Sequence, residues 1–282
     1  MAGQLRDQLG QFGVWRGAWQ TTPQIAADLE QLRYGALWLG GSPDGDLAIA
    51  EGLLDATSTL IVGTSIVNIW KDNAPQVAES FTRVQAHHPE RFVLGVGAGH
   101  PEATEQYASP YQALATYVDQ LLEHNVPAER IVLAALGPKV LRLARDRTGG
   151  AIPYLVPPEH TRLAREILGP GPLLAPEHKV VIDTDTERAR KLGRRRVQNP
   201  YLGLVNYTSN LRRLGFTDAD LDDGGSDRLV DALVAHGRAD HVAGKLREHL
   251  DAGADHVCIQ LLTEAEADPM PGYLALAEAL GL

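Results

Sequence analysis

The residues best placed to do chemistry in this chain sit where apolar runs give way to small or polar residues. The run from Leu60 to Val67 breaks into Asn68-Ile69-Trp70-Lys71-Asp72-Asn73, and Pro75 then opens a helix. Phe92-Val93-Leu94-Gly95-Val96-Gly97-Ala98-Gly99 ends in alternating glycines followed by His100, and Ala134-Ala135-Leu136 leads into Gly137-Pro138-Lys139. These breaks carry no Asp/Glu pair, no Ser-His-Asp set and no histidine cluster with metal spacing, so no metal site is expected. What they offer is accessible main chain. Gly97, Gly99, Ala134, Ala135 and Gly137 admit a flat ring and a phosphate close to the backbone. That favours a site holding a reactive cofactor over one doing acid–base chemistry alone.

The segment Leu136-Gly137-Pro138-Lys139 is the best anion candidate. Proline at a first helical position leaves the neighbouring N–H groups free, and the helix dipole favours negative charge there. An ordinary strand–helix turn is the alternative. The glycines at 95, 97 and 99 do not make a dinucleotide fingerprint, because His100 takes the place of the third glycine and no helix begins at once. His87, His88, His236, His241 and His249 fall on helices away from these breaks and read as structural or solvated.

The elements that position these residues follow from periodicity. Apolar, β-branched segments over 12–15, 34–41, 60–67, 92–100, 131–136, 151–156, 179–184 and 255–262 read as strands buried on both faces, each followed by a helical pattern. Eight strand–helix units in alternation, with no dividing linker, predict a single (β/α)8 TIM barrel of the α/β class spanning 1–282. A doubly wound open sheet is the alternative. In the barrel, the carboxyl ends of the strands define the site. A longer helical tract separates strands seven and eight, with helices expected near 228–235 and 240–252.

The 282 residues carry a net charge of −10, which argues against a general nucleic-acid surface. The one basic run, 188–196, reads as a solvated helix face or a contact for phosphate. The single cysteine, Cys258, lies in an apolar run and reads as a small core residue in a reducing compartment. No run reaches the ~18 apolar residues of a membrane span, and the N-terminus lacks a signal-peptide core, so a soluble, cytoplasmic protein is expected.

Five segments taken together, Phe12-Gly13-Val14-Trp15, Gly35 to Gly40, Val62 to Asn68, Pro89 to Gly99 and Ala134 to Lys139, resemble the bacterial luciferase-like family. The resemblance is to its coenzyme F420 branch, running in order from Phe12 to Tyr154 and resuming over 240–262. It implies a (β/α)8 barrel with a flavin or deazaflavin at the carboxyl end, and a homodimer. It also implies a non-proline cis peptide at Ser65–Ile66 behind the cofactor ring, the Asn68 amide at the ring's edge, and Tyr154 near the ring. The cofactor's tail would lie on Gly97, Ala98 and Gly99 and on Ala135, Leu136 and Gly137. The chain departs from the family at Gly40-Gly41-Ser42, where an acid or histidine is usual, and at His100, where a glutamate is found. The proton-transfer machinery thus reduces to His100, as a catalytic or substrate-facing group or else a loop histidine bonded to backbone. The activity implied is F420-dependent hydride transfer to or from a small organic substrate. The alternatives are an FMN-dependent monooxygenase with a reductase partner, and a non-catalytic flavin-binding barrel.

Overall fold

A computed structural model describes residues 2–99 and 109–282. Helix α1 (Ala2–Leu9) precedes β1 (Phe12–Gly17), α2 (Pro23–Gln31), β2 (Ala36–Gly40), α3 (Ala48–Asp55), β3 (Ile61–Ser65), β4 (Val67–Asn68), α4 (Ala74–His87) and β5 (Phe92–Gly97). There follow α5 (Pro110–Glu123), β6 (Ile131–Leu133), α6 (Pro138–Arg147), β7 (Gly150–Ala151), α7 (Pro158–Leu168), β8 (Leu173–Leu174) and β9 (Glu177–Ile182). The chain ends with α8 (Thr186–Gln198), α9 (Val205–Arg213), α10 (Asp218–Leu221), α11 (Asp227–Leu233), β10 (Val234–Gly237), α12 (Ala239–Asp251), β11 (Val257–Leu261) and α13 (Met270–Leu280). Among these residues no helix is long and apolar enough to cross a membrane.

Local chemistry starts the helices. Asn73 Oδ1 accepts the Gln76 N–H at 3.1 Å, and Pro75 occupies the first turn of α4. That helix then buries Val77, Ala78, Phe81 and Val84, with Phe81 5.9 Å from Phe92 of the next strand. Burying each such side chain stabilises by about 1–3 kcal/mol. The strands pair in parallel throughout, and β2 is buried along its whole length, as a strand covered on both faces must be.

The sheet closes through a single stretch, 173–182. The amides of Leu173, Ala175 and Glu177 bond back to the carbonyls of Gly149, Ala151 and Pro153, while the carbonyls of Leu174, Pro176 and Val180 accept from Asp255, Cys258 and Leu262. Odd residues therefore face one neighbour and even residues the other, as along one continuous strand. The seventh barrel strand thus begins earlier than expected and is marked by a break at Ala175-Pro176. Its closure between strands six and eight rules out the open sheet. Past Pro176 the odd-numbered edge is taken by β10, paired Val234↔Lys179 to Gly237↔Ile182. This strand corrects the helix expected over 228–235: α11 stops at Leu233, and the short Val234-Ala235 segment is extended because it finds a free strand edge.

The barrel lumen is filled by Trp15, Trp38, Ile61, Val93, Val132, Ile152, Leu173, Ala175 and Cys258, with Leu5 and Leu9 of α1 against its amino-terminal end. Helix α1 lies ahead of the first expected strand, 12–15, and is not among the expected elements. Cys258 is buried, its thiol 3.5 Å from the Ala175 carbonyl. Helices α8, α9 and α11 build a separate core that reaches the carboxyl ends of the strands through Leu155, Val181 and Leu262.

Buried histidines tie these layers. His256 Nδ1–H donates to the Gly10 carbonyl at 2.8 Å, which leaves Nε2 to accept from Trp38 Nε1–H at 3.1 Å. Thr161 Oγ1, His249 and His178 form a second chain, at 2.7 and 3.0 Å. Burial pushes His256 and His178 down to about 4. Protonating His256 would also set two N–H donors against each other. Since the unfolded chain takes up these protons near pH 6.5, the stability they confer is complete above that value and declines as pH falls toward 4. Urea unfolding should therefore lose up to about 1.4 kcal/mol per pH unit per histidine between about pH 6 and 4. An unfolding free energy that stays flat from pH 7 to pH 5 contradicts this.

Candidate functional site

The peptide bond Ser65–Ile66 is cis, as expected at the end of strand three. Beyond it the chain resumes as β4, which pairs with β5 in the register Val67↔Val96 and Asn68↔Gly97. Asn68 anchors the turn that follows: Oδ1 accepts the Trp70 N–H at 3.0 Å, and its backbone carbonyl accepts from Lys71 and Asp72. The Trp70 indole donates to the Ala98 carbonyl at 2.8 Å, and the Ile69 amide to Gly97 at 3.1 Å. These bonds lash the turn to the glycine loop that ends β5. Gly99 has φ +60, the left-handed region, and a Cβ there would lie 2.9 Å from Asn68 Nδ2. The Asn68 amide thus directs its oxygen into its own turn and its nitrogen toward Gly99.

Gly97 lies between Ala134 and Ile66. A Cβ on it would stand 3.0 Å from Ala134 Cβ and 3.2 Å from Ile66 Cγ1, so only glycine keeps this surface level. Ser65, Ile66, Asn68, Gly97, Ala98, Gly99 and Ala134 are therefore brought together as one shelf at the carboxyl end. Ala135 is buried, and the Leu136 carbonyl accepts from His160 Nε2 at 2.9 Å. Gly137 caps α6, and the Arg213 guanidinium of α9 lies 3.8 Å from the position of a Cβ on Gly137. Arg213 is oriented by Asn210 Oδ1 at 3.0 Å. The anion candidate thus gains a cation from a segment that is remote in sequence, and nothing in local spacing announced it. His100 lies outside the described residues.

The missing acid or histidine at strand two has a steric explanation. A Cβ on Gly40 would fall 1.8 Å from the Trp15 indole, and one on Gly41 would fall 1.9 Å from Trp19. The buried Trp15 indole occupies the space where a side chain on Gly40 would stand, and Gly41 has φ +79, which disfavours any other residue. Trp15 Nε1–H donates to Ser65 Oγ at 3.0 Å, which ties strand one to the cis bond.

Tyr154 is half-buried and packs against Trp15, Tyr201 and Tyr207, at ring separations of 5.2, 5.2 and 6.4 Å. Its hydroxyl donates to Gln260 Oε1 at 2.9 Å and accepts from Tyr201 at 3.0 Å. Burial pushes the Tyr201 hydroxyl up to about 12 and raises that of Tyr154 well above its usual range, so both stay protonated. Beneath the ring lies a pair that the sequence reading missed. Lys179 Nζ sits 3.1 and 3.2 Å from the two oxygens of Glu177 and 3.9 Å from the Tyr154 ring centroid. The missing signal was register, since residues 177 and 179 turn inward only when the strand is known to begin before Pro176.

The basic run forms α8, and its charges are largely matched. Arg188 pairs with Asp183 and Asp185, Arg190 with Asp227 and Asp231, Arg194 with Asp227, and Arg195 with Glu264. This is the solvated-face reading. Among the described residues no cluster of His, Cys, Asp or Glu has the geometry to hold a metal.

No family model and no curated protein matches this sequence. Solved structures match over nearly the whole chain. An F420-dependent secondary alcohol dehydrogenase in complex with an F420–acetone adduct superposes with a TM-score of 0.74 at 15% identity, covering 96% of this chain and 99% of that chain. Coenzyme F420-dependent tetrahydromethanopterin reductase from Methanopyrus kandleri gives 0.69 at 14% identity, with 96% and 98% covered. The FMN complex of the oxygenating constituent of 3,6-diketocamphane monooxygenase, from the CAM plasmid of Pseudomonas putida, gives 0.65 at 16%, with 95% and 96% covered. At such identities the likeness establishes the fold, which is the luciferase-like barrel.

Filling the space at strand two should be costly. Gly40→Ala is expected to destabilise by about 1–3 kcal/mol in urea unfolding, because the Trp15 indole has no room to retreat. Combining it with Trp15→Leu should recover part of that loss. A Gly40→Ala protein as stable as the wild type contradicts the packing described.

Proposed function

We propose that this chain is an oxidoreductase that holds a deazaflavin of the F420 kind at the carboxyl end of its barrel and acts on a small organic substrate. The observation carrying this reading is the shelf of Ile66, Gly97 and Ala134 behind the cis Ser65–Ile66 bond, with Asn68 at its edge. The shelf fits a planar ring, because a Cβ on Gly97 would fill the space a ring needs. The fold shared with both F420-dependent and FMN-bound proteins supports a cofactor of this type.

In this reading Ser65, Ile66, Asn68 and Gly97 to Gly99 hold the ring, with Ala134 beside them and Tyr154 near it. Ala135, Leu136 and Gly137 line the course of the tail. The amino terminus of α6 and the Arg213 guanidinium supply the positive potential that a phosphate on that tail requires. Such a cofactor, when bound, supplies hydride transfer. The chain's own residues then orient the substrate and keep water away, and little acid–base chemistry is asked of them. Tyr154 and Tyr201 hold their hydroxyl protons and serve as hydrogen-bonding groups. Proton transfer falls to His100, which directly follows Gly99 in the sequence. A homodimer belongs to the same reading.

Mixing the purified protein separately with F420 and with FMN, and following ligand fluorescence, tests the reading. Tight F420 binding with turnover by a donor is expected. Binding of FMN alone replaces the reading with a monooxygenase served by a reductase, and binding of neither overturns both. Arg213→Ala should weaken F420 about tenfold or more, the value of one charge-assisted bond to phosphate. Unchanged affinity removes Arg213 from the site.

A further inference from the structure

Glu177 and Lys179 are almost fully buried, with side-chain exposures of 3% and 1%. Taking two charges out of water costs several kcal/mol per ion, and apolar replacements of similar volume are often as stable. Stability therefore does not explain why this pair lies in the lumen. Its contacts do. Glu177 Oε2 accepts the Leu155 N–H at 2.9 Å, and Leu155 has φ +56, an uncommon conformation for a branched residue. Leu155 directly follows Tyr154, so the carboxylate holds the backbone that aims the tyrosine ring. Lys179 holds the carboxylate and lies over the ring face. The ring in turn packs on Trp15, whose indole bonds Ser65 of the cis peptide. A run of direct contacts thus leads from the buried pair to the shelf.

We propose that Glu177 and Lys179 are positioning residues for Tyr154, a role that rests on reading the shelf as a cofactor site. Glu177 acts as the acceptor that holds the Leu155 amide, and Lys179 acts as the cation that keeps Glu177 in place and steadies the ring from below. Burial pulls Lys179 below its usual range and raises Glu177, so a neutral acceptor at 177 leaves a lysine that can shed its proton.

The test uses full-length protein carrying 3-fluorotyrosine at position 154, in wild type and in Glu177→Gln, Glu177→Leu and Glu177→Leu/Lys179→Met. The glutamine keeps an acceptor for Leu155 and the leucine does not. Without cofactor, E177Q should give one fluorine resonance close to wild type, and both leucine variants a shifted or broadened one. The dissociation constant for whichever of F420 and FMN binds should rise about tenfold in the leucine variants and stay within about threefold in E177Q. The double variant keeps the test open if E177L alone does not fold, because it removes both charges. Wild-type fluorine spectra in both leucine variants overturn the proposal. So does weakened binding that follows lost thermal stability equally in the glutamine and leucine variants. If the wild type binds neither cofactor, the functional reading fails, and the fluorine spectra still decide whether the pair positions Tyr154.

Discussion

The structure depends on one stretch that is hydrogen-bonded along both of its edges. Residues 173–182 bond β7 along their odd-numbered edge, then β10, while their even-numbered edge holds the 255–262 segment throughout. Without that exchange the parallel sheet would have two open edges and no lumen. With it, Leu173, Ala175, Glu177 and Lys179 all turn inward. The first two complete an apolar core, and the last two set charge directly beneath the mouth. One strand thus decides both closure and the electrostatics of the barrel interior.

Around that mouth, shape is governed more by what is absent than by what projects. Gly40 gives way to the Trp15 indole, Gly97 to a flat surface, and Gly99 to the Asn68 amide. Trp15 links these features, because it fills the space beside Gly40, bonds Ser65 and packs at a tilt against Tyr154. A side chain that packs and hydrogen-bonds in three directions has little freedom to move, which is what a site relying on position rather than on acids and bases requires.

Two sets of buried polar groups contrast in kind. His256, His178 and His249 are neutral and satisfied by neighbours, and they tie α1, α7 and α12 to the strands. Glu177 and Lys179 are charged partners held in low dielectric, where mutual attraction is strong but desolvation is costly. The histidines belong to the outer layer and the amino-terminal end of the barrel. The ion pair belongs to the other end, among Tyr154, Tyr201 and Gln260.

Much of this was legible in the residues themselves. Apolar β-branched runs ending in glycine announced the parallel strands, and Asn73-Ala74-Pro75 announced α4, features set by side-chain type and by hydrogen bonds within a few residues. The cis bond was implied instead by the family resemblance that five short segments carry, and the shelf beside it is assembled from three strands far apart in the chain. Three others were not legible. Lys179 read as the start of a strand because Pro176 hid the earlier half. Residues 234 and 235 read as the end of a helix because their extended form depends on a free edge supplied by β9. Arg213 carries no signal in the sequence, because only the packing of α9 brings it to Gly137. Each depends on a partner far away in the chain, and which partner arrives is settled by burial and closure, which no local pattern records.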